Sequence, residues 1–352
     1  AYLLILAWQK DYGNAATAPQ QQAAAVSSHE VSADLPNAKN ATVASDVPQA
    51  NIAQSQTTDA TAPVNQQLIS VQTDLYHIWI NPKGGDIVRI ELLSHDKSKD
   101  SDQPFVMLEN DAKRTYVAQS GLIGLNGPDS SRGGRPLYAV EKTSYTLADA
   151  KGVQDQKGQS EKVLNVPMVF KTPEGVEIIK TFTFTQGQYP IVVKHQVINR
   201  SQQSWQGQMF GQLKRDNSED PGKSSQGIFT LGTFLGGAWG TPDAHYNKLK
   251  FANFSEEKVN TEAKGGWVAI VQHYFVSAWI PGNLKLTQAN GQPYVAKLES
   301  RQSADHMNII GFTSPVINVP AGTSMEVDAK LYSGPKVQSE LKDLAVGLNQ
   351  TV

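Results

Sequence analysis

From Leu68 onward the chain is written in short runs of alternating apolar and polar residues, and this period of two limits the fold more than any other feature. The runs include "ISVQTDLYHIWI", "GGDIVRIELL", "TYVAQSGLIGL", "VPMVFKT", "GVEIIKTFTFTQ", "YPIVVKHQVIN", "WQGQMFGQLKRD" and "MEVDAKLY". Successive side chains of a strand point to opposite faces, so each run predicts a strand. In "GVEIIKTFTFTQ", Val176, Ile178, Lys180, Phe182 and Phe184 share one face, while Glu177, Ile179, Thr181 and Thr183 share the other, wetter one. The breaks "NPKGG", "TPEG", "TQGQYP" and "ANGQP" carry turn chemistry suited to antiparallel neighbours. Many strands without intervening helices predict a large all-β sandwich rather than a parallel sheet.

The chain has 352 residues and 39% hydrophobic content, enough to build a substantial core. A net charge of −2, with basic residues scattered rather than banked on one stripe, argues against nucleic acid as a partner. With no cysteine, disulfides and thiolate metal sites are excluded. None of the seven histidines forms an HxH, HxxxH or HExxH pair, so no metal site is expected. "GKSS" at Gly222–Ser225 looks like the end of a phosphate loop, but Asn217 stands where the loop needs its first glycine. Neither GxSxG nor GxGxxG occurs, which leaves the nucleophile-elbow and dinucleotide readings without support.

Residues 1–13, "AYLLILAWQKDYG", begin with an apolar run too short to span a bilayer, which takes about 20 residues. They read as the exit end of a transmembrane helix with Trp8 and Tyr12 at the interface, or else as a frayed hydrophobic terminus. Residues 14–66 are Ala, Gln, Ser, Thr, Asn and Pro in no periodic order and predict a flexible tether, with an end-to-end distance on the order of 40 Å. The folded part is then expected over 67–334, followed by a C-terminal helix and junction over 335–352.

The apolar run Trp267–Ile280 predicts a single central strand with Trp267, His273 and Trp279 on one face, where they are candidates for a cleft wall. His273 and Gln272 read as polar interruptions whose hydrogen bonds are satisfied inside the sandwich; chemistry at His273 would need a partner acid or base. In "GPKVQSELKDLAVGL", Val337, Leu341, Leu344 and Leu348 recur at helical spacing and Pro335 suits a first turn, predicting one amphipathic helix that buries its stripe on the sandwich or a bilayer. In "TFLGGAWGTPDAHYNKLKF", Phe234, Trp239, Tyr246 and Phe251 stand among glycines beside Lys248 and Lys250. Read as a loop, this is a candidate partner patch if exposed, or a segment folded back on the sandwich if not.

"TFLGGAWGTPDAHYNKLKF", "KGGWVAIVQHYFVSAWIPG" and "LYSGPKVQSELKDLA" occur in the order and spacing of the large periplasmic domain of YidC membrane-protein insertases, and the chain resembles that family over roughly residues 1–352. The resemblance implies a β-supersandwich of the galactose-mutarotase type closed by a C-terminal helix. It implies a location at the bacterial inner membrane with this domain in the periplasm, and partners among SecD, SecF and SecYEG of the Sec translocon. Nascent membrane proteins would be handled by the family's membrane core, outside this chain. On this reading the domain is a docking module without cofactor, metal or catalytic residue of its own. The alternative is a carbohydrate-binding or mutarotase-like module, which would pair a histidine acid with a carboxylate base; His77, His195, His273 and Glu177 are the residues to weigh.

Overall fold

The computed structural model describes residues 67–98, 101–131, 134–154, 158, 160–221, 234–282 and 295–352. The segments read as a membrane-helix end and a tether, and the "GKSS" stretch, lie outside the described residues. Two sheets account for the described strands. Numbered in chain order, the first sheet holds Ile69–Gln72 (β1), Tyr76–Asn81 (β2), Asp86–Asp96 (β3), Pro104–Asn110 (β4), Thr115–Ile123 (β5), Ser144–Thr146 (β6), Trp205–Arg215 (β11), Asn260–Ala263 (β14), Ala296–Gln302 (β17), Asn308–Thr313 (β18) and Ile317–Val319 (β19). The second holds Lys151–Gln154 (β7), Ser160–Lys171 (β8), Val176–Thr185 (β9), Ile191–Asn199 (β10), Gly236–Gly240 (β12), Asn247–Lys250 (β13), Trp267–Val271 (β15), Phe275–Pro281 (β16) and Ser324–Pro335 (β20).

In the second sheet the strand order is β13-β12-β15-β16-β20-β10-β9-β8-β7, all antiparallel. The first follows β14-β17-β18-β11-β5-β4-β3-β2-β1-β6, with β19 on β11 and one parallel pairing, between β1 and β6. The alternation of "GVEIIKTFTFTQ" appears directly in β9, where Val176, Ile178, Lys180, Phe182 and Phe184 are buried and the residues between them are half-buried. "ISVQTDLYHIWI" is two strands, not one. The Thr73 hydroxyl accepts the N–H groups of Leu75 and Tyr76 and turns the chain between β1 and β2.

Between the sheets lies the main core. Trp279 of β16 meets Phe312 of β18 with ring centroids 6.2 Å apart, and its indole N–H donates to the carbonyl of Gln212 on β11 at 3.1 Å. Residue 211 must be glycine for this crossing, because a Cβ there would stand 2.5 Å from the Phe312 ring and 3.0 Å from Trp279. The Tyr76 hydroxyl of β2 reaches the carbonyls of Tyr189 and Ser333, at 2.8 and 2.6 Å, and so ties the first sheet to the second.

The expectation of one central strand over 267–280 is corrected: the run is a hairpin. β15 and β16 pair with Val271 opposite Val276 and Val268 opposite Trp279, and the chain turns at His273 and Tyr274, both exposed. Trp267 and Trp279 therefore point to opposite faces. Apart from Ser277, whose hydroxyl lies 2.8 Å from that of Ser333, both strands are apolar because each face is covered. The first sheet covers the Trp279 face and the C-terminal segment covers the Trp267 face.

That C-terminal segment is also corrected. Pro335 ends β20 rather than starting a helix, and the α-helix is short, Gln338–Leu344 (α1). Ala345 is extended, Gly347 is left-handed at φ +83°, and Leu348–Thr351 forms a separate 3-10 turn. The predicted stripe is thus divided. Leu341 and Leu348 are fully buried in the core, Leu344 packs partly against it, and Val337 is exposed.

Candidate functional site

At the tip of the β15–β16 hairpin, a cavity of about 300 Å³ separates the second sheet from the C-terminal segment. Phe234, Tyr246, Lys248, His273 and Lys336 are among its walls. The Lys248 ammonium lies 5.0 Å from the centre of the Phe234 ring and 5.7 Å from that of Tyr246, within cation–π range. Lys336 is half-buried and donates to the Thr351 carbonyl at 2.9 Å. Burial first, and the Lys248 charge second, draw its pKa down from the ordinary lysine value.

Two contacts hold the C-terminal segment in place here, and a ring stack buttresses the first of them. The Trp267 indole N–H donates to the Val346 carbonyl at 2.9 Å. Tyr246 stacks on Trp267 with centroids 6.1 Å apart. Gly347 touches the His245 backbone so closely that a Cβ would stand 2.1 Å from the His245 carbonyl oxygen.

The six residues expected to form one aromatic and basic patch are divided by the fold. Their stretch is not a loop but the β12–β13 hairpin followed by a 3-10 turn, Phe251–Asn253. Phe234, Tyr246 and Lys248 come together at the cavity, with Lys250 exposed nearby on the same face of β13. Trp239 belongs to the opposite face of β12, and Phe251 lies 5.6 Å from the Arg215 guanidinium and 5.8 Å from Phe254. Both are partly buried against the core.

The proposed cleft trio does not meet. Trp267 and Trp279 are core residues on opposite faces, and His273 is at the exposed hairpin tip, not within a strand. Gln272 beside it is buried and donates to Asp220 at 2.6 Å.

Sequence reasoning missed a buried ionic knot between the sheets. Lys180 of β9, fully buried, donates to the carbonyls of Gly84, Gly85 and Ser120 at 2.8 to 2.9 Å. Arg135 donates to Asp129 at 2.6 Å, to Asp86 at 2.7 Å and to the Ser120 carbonyl at 2.8 Å. Burial raises the pKa of Asp129, against the pull of Arg135, and lowers that of Lys180 to about 7. The "NPKGG" turn wraps this knot. Gly84 and Gly85 have φ of +79° and +65°, and a Cβ on Gly84 would stand 2.5 Å from the Arg135 guanidinium. Lys180 was visible in sequence as the one charge on the apolar face of β9, but its partners are distant in the chain.

His195 of β10 is fully buried, with neither ring nitrogen bonded to protein. Burial, then the charges of Lys180 and Arg135, lower its pKa well below the usual histidine range. Glu177, the carboxylate weighed for sugar chemistry, pairs with Arg200 and Lys171 instead of a histidine. On the outer face of the first sheet Ser70 Oγ and His77 Nε2 are 2.9 Å apart and His77 Nδ1 is 3.8 Å from Glu91. This line has the order of a Ser–His–acid relay, but the Ser70 N–H is taken by the Thr143 carbonyl and so is not free to stabilise an oxyanion. Among the described residues no three His, Asp or Glu side chains are placed to hold a metal ion. Among them, too, no helix is long and apolar enough to cross a membrane.

Comparison with known proteins bears on these features. The family described as YidC periplasmic domain matches residues 68–352. A membrane protein insertase YidC of Pseudomonas putida (strain GB-1) is 40% identical over 353 residues, and one of Azotobacter vinelandii (strain DJ) is 38% identical over 353. Each comparison takes in 100% of this chain and 59% of the relative, so the chain spans 59% of the length of these curated relatives. Among solved structures, a galactose mutarotase-related enzyme from Lactobacillus acidophilus is similar at a TM-score of 0.45 and 10% identity, covering 76% of this chain and 97% of that one. A galactose mutarotase-like protein from Lactobacillus casei gives 0.42 and 11%, covering 76% and 99%. At this level the likeness carries no argument about sugar chemistry.

Proposed function

The chain belongs to the YidC periplasmic-domain family, and from that premise we propose that it is the periplasmic part of a membrane-protein insertase of the bacterial inner membrane, serving as a docking module. The observation that carries this reading is the union of the sandwich with its C-terminal segment. Leu341 and Leu348 sit in the same core as the sheets, and Trp267 and Gly347 fasten the backbone between them. On this proposal a partner that engages the sandwich acts on residues 338–351 through these contacts. We propose further that its partner is the Sec translocon, through SecD, SecF and SecYEG, and that nascent membrane proteins are the clients of the whole insertase.

Exchange tests the function. This chain would replace the matching stretch of the Pseudomonas putida relative, and insertion of inner-membrane proteins would be followed by protease accessibility while the native copy is shut off. Insertion at the parental rate is expected. A chimera that accumulates in the membrane yet inserts nothing would contradict the assignment. Photo-crosslinkers at exposed Lys250 and Leu125 would test the Sec contact, which fails if no translocon component is captured from either.

A further inference from the structure

We infer that the end of the sandwich where β5 begins and β11 finishes binds a buried monovalent inorganic anion, chloride, at the guanidinium groups of Arg114 and Arg215. Arg114 stands just before β5 and Arg215 ends β11, and the two share one carboxylate. Asp220 lies 2.6 Å from Arg215 Nη2 and 3.9 Å from Arg114 Nη2. Two positive charges thus face one negative charge. Arg215 is fully buried and Arg114 is 5% exposed, so water does not screen the excess. The other nearby carboxylates are committed elsewhere. Asp216 accepts the Thr115 N–H and the Ser218 hydroxyl, and Glu109 pairs with Arg89. Among the described residues no further acid lies within ion-pair distance of either arginine, and residues 222–233, next along the chain, contain no acid.

Arg114 donates through Nη1 and Nη2 to the carbonyls of Val106 and Met107 on β4, at 3.0 and 3.1 Å, and Arg215 donates through Nη2 to the Ser218 carbonyl at 3.0 Å. Arg114 Nε and Arg215 Nε and Nη1 are enclosed and bond to nothing in the protein. The rings of Tyr116 and Phe251 lie over the Arg215 guanidinium at 4.9 and 5.6 Å, and Tyr116 is 5.5 Å from that of Arg114. Rings therefore cover Arg215, and its free N–H groups lie in the guanidinium plane, where an anion binds. Burial first, and the Arg215 charge second, draw the Arg114 pKa down, as they do for a guanidinium short of a counter-ion. Gln272, directly after β15, donates to the same Asp220 at 2.6 Å and leaves the charge unchanged; its amide oxygen, enclosed without a protein partner, is an acceptor and gives the anion nothing. Water would satisfy the free N–H groups but not the charge, and a phosphate would bring too much charge. A single monovalent anion meets both demands.

Bromide, which scatters anomalously, is the structural probe. Crystals of the full chain grown in sodium bromide should show an anomalous peak within hydrogen-bond distance of Arg215 Nε or Nη1. In solution, urea unfolding is followed while chloride replaces gluconate at constant ionic strength. The unfolding constant should fall severalfold, up to about tenfold, for a tenfold rise in chloride. Arg215→Met leaves Arg114 balanced by Asp220 and should reduce this response to the general effect of the salt. Asp220→Asn doubles the excess charge and should steepen the response, which keeps the test decisive if Arg215→Met does not fold. No bromide at the arginines would show that water satisfies them and would overturn the site. A bromide peak with an unaltered chloride response in the variants would mean an adventitious ion only, and would overturn it equally. Neither readout depends on insertion, so the site stands or falls separately from the insertase assignment.

Discussion

The Lys180 ammonium on β9 of the second sheet donates to the Ser120 carbonyl on β5 of the first at 2.8 Å. Its other hydrogens go to Gly84 and Gly85 in the β2–β3 turn. Every hydrogen of a fully buried charge is thus spent on fixing one sheet against the other. Lys180→Met, an unbranched side chain one atom shorter, leaves three carbonyl oxygens without a donor and removes a positive charge beside Asp86 and Asp129. A loss of about 3 to 5 kcal/mol in urea unfolding is expected. A change below about 1 kcal/mol would mean that the knot contributes little.

His195 gives a pH dependence whose sign follows from its burial. In the unfolded chain it takes up a proton near pH 6.5, as a free histidine does. In the folded chain desolvation holds it neutral to well below that value. Unfolding therefore binds a proton in this window, so stability is full above about pH 6.5 and is lost as the pH falls, at about 1.4 kcal/mol per pH unit for the one site. His195→Leu should remove that part of the acid slope and be neutral or stabilising at pH 7, since two unpartnered nitrogens disappear. An unchanged slope in denaturant titrations between pH 5 and pH 7 would show that His195 is solvated in the folded state.

How much of this could be read in sequence depends on the range of the interactions. The buried face of β9 was legible because alternation is local, and the all-β class followed from the same signal. The hairpin at His273–Tyr274 was not, because "QHYF" carries no glycine, proline or asparagine to mark a turn and both flanks are apolar. Those flanks look like one central strand because two different surfaces bury them, and one of these surfaces arrives from residues 338–351. The division of the aromatic patch has a similar cause. Once Gly236–Gly240 is a strand with Ala238 opposite Lys248, Trp239 falls on the other face from Lys248, which a loop reading cannot reveal. Lys180 found all its partners far along the chain, and Arg135 found Asp86 49 residues away, which no local spacing encodes.

Gly347 should resist replacement. Alanine there meets both a positive φ and a backbone contact with the His245 carbonyl that has no flexible atom to yield. Gly347→Ala is expected to cost about 1 to 3 kcal/mol and to expose the bond between Trp267 and Val346, seen as faster proteolysis around residue 346. Parental protease resistance would mean that the segment can shift without penalty.

The two halves of the divided stripe should separate on substitution. Leu341→Ala and Leu348→Ala each remove a fully buried side chain and should cost about 2 to 5 kcal/mol. Val337→Ala, at an exposed position, should stay within about 0.5 kcal/mol. Equal losses at Val337 and Leu341 would restore a continuous helical stripe.

Native-state hydrogen exchange of the amides of Leu341, Ala345 and Leu348 tests most directly whether the sandwich and its C-terminal segment are one cooperative body. The N–H groups of these residues bond to the carbonyls of Val337, Leu341 and Ala345. If the segment is part of the core, they exchange only through global unfolding, with the same free energy and denaturant dependence as the amides of β15 and β16. Exchange through a local opening several kcal/mol cheaper than unfolding of the sheets would uncouple the segment from the sandwich and remove the support for a rigidly linked docking module.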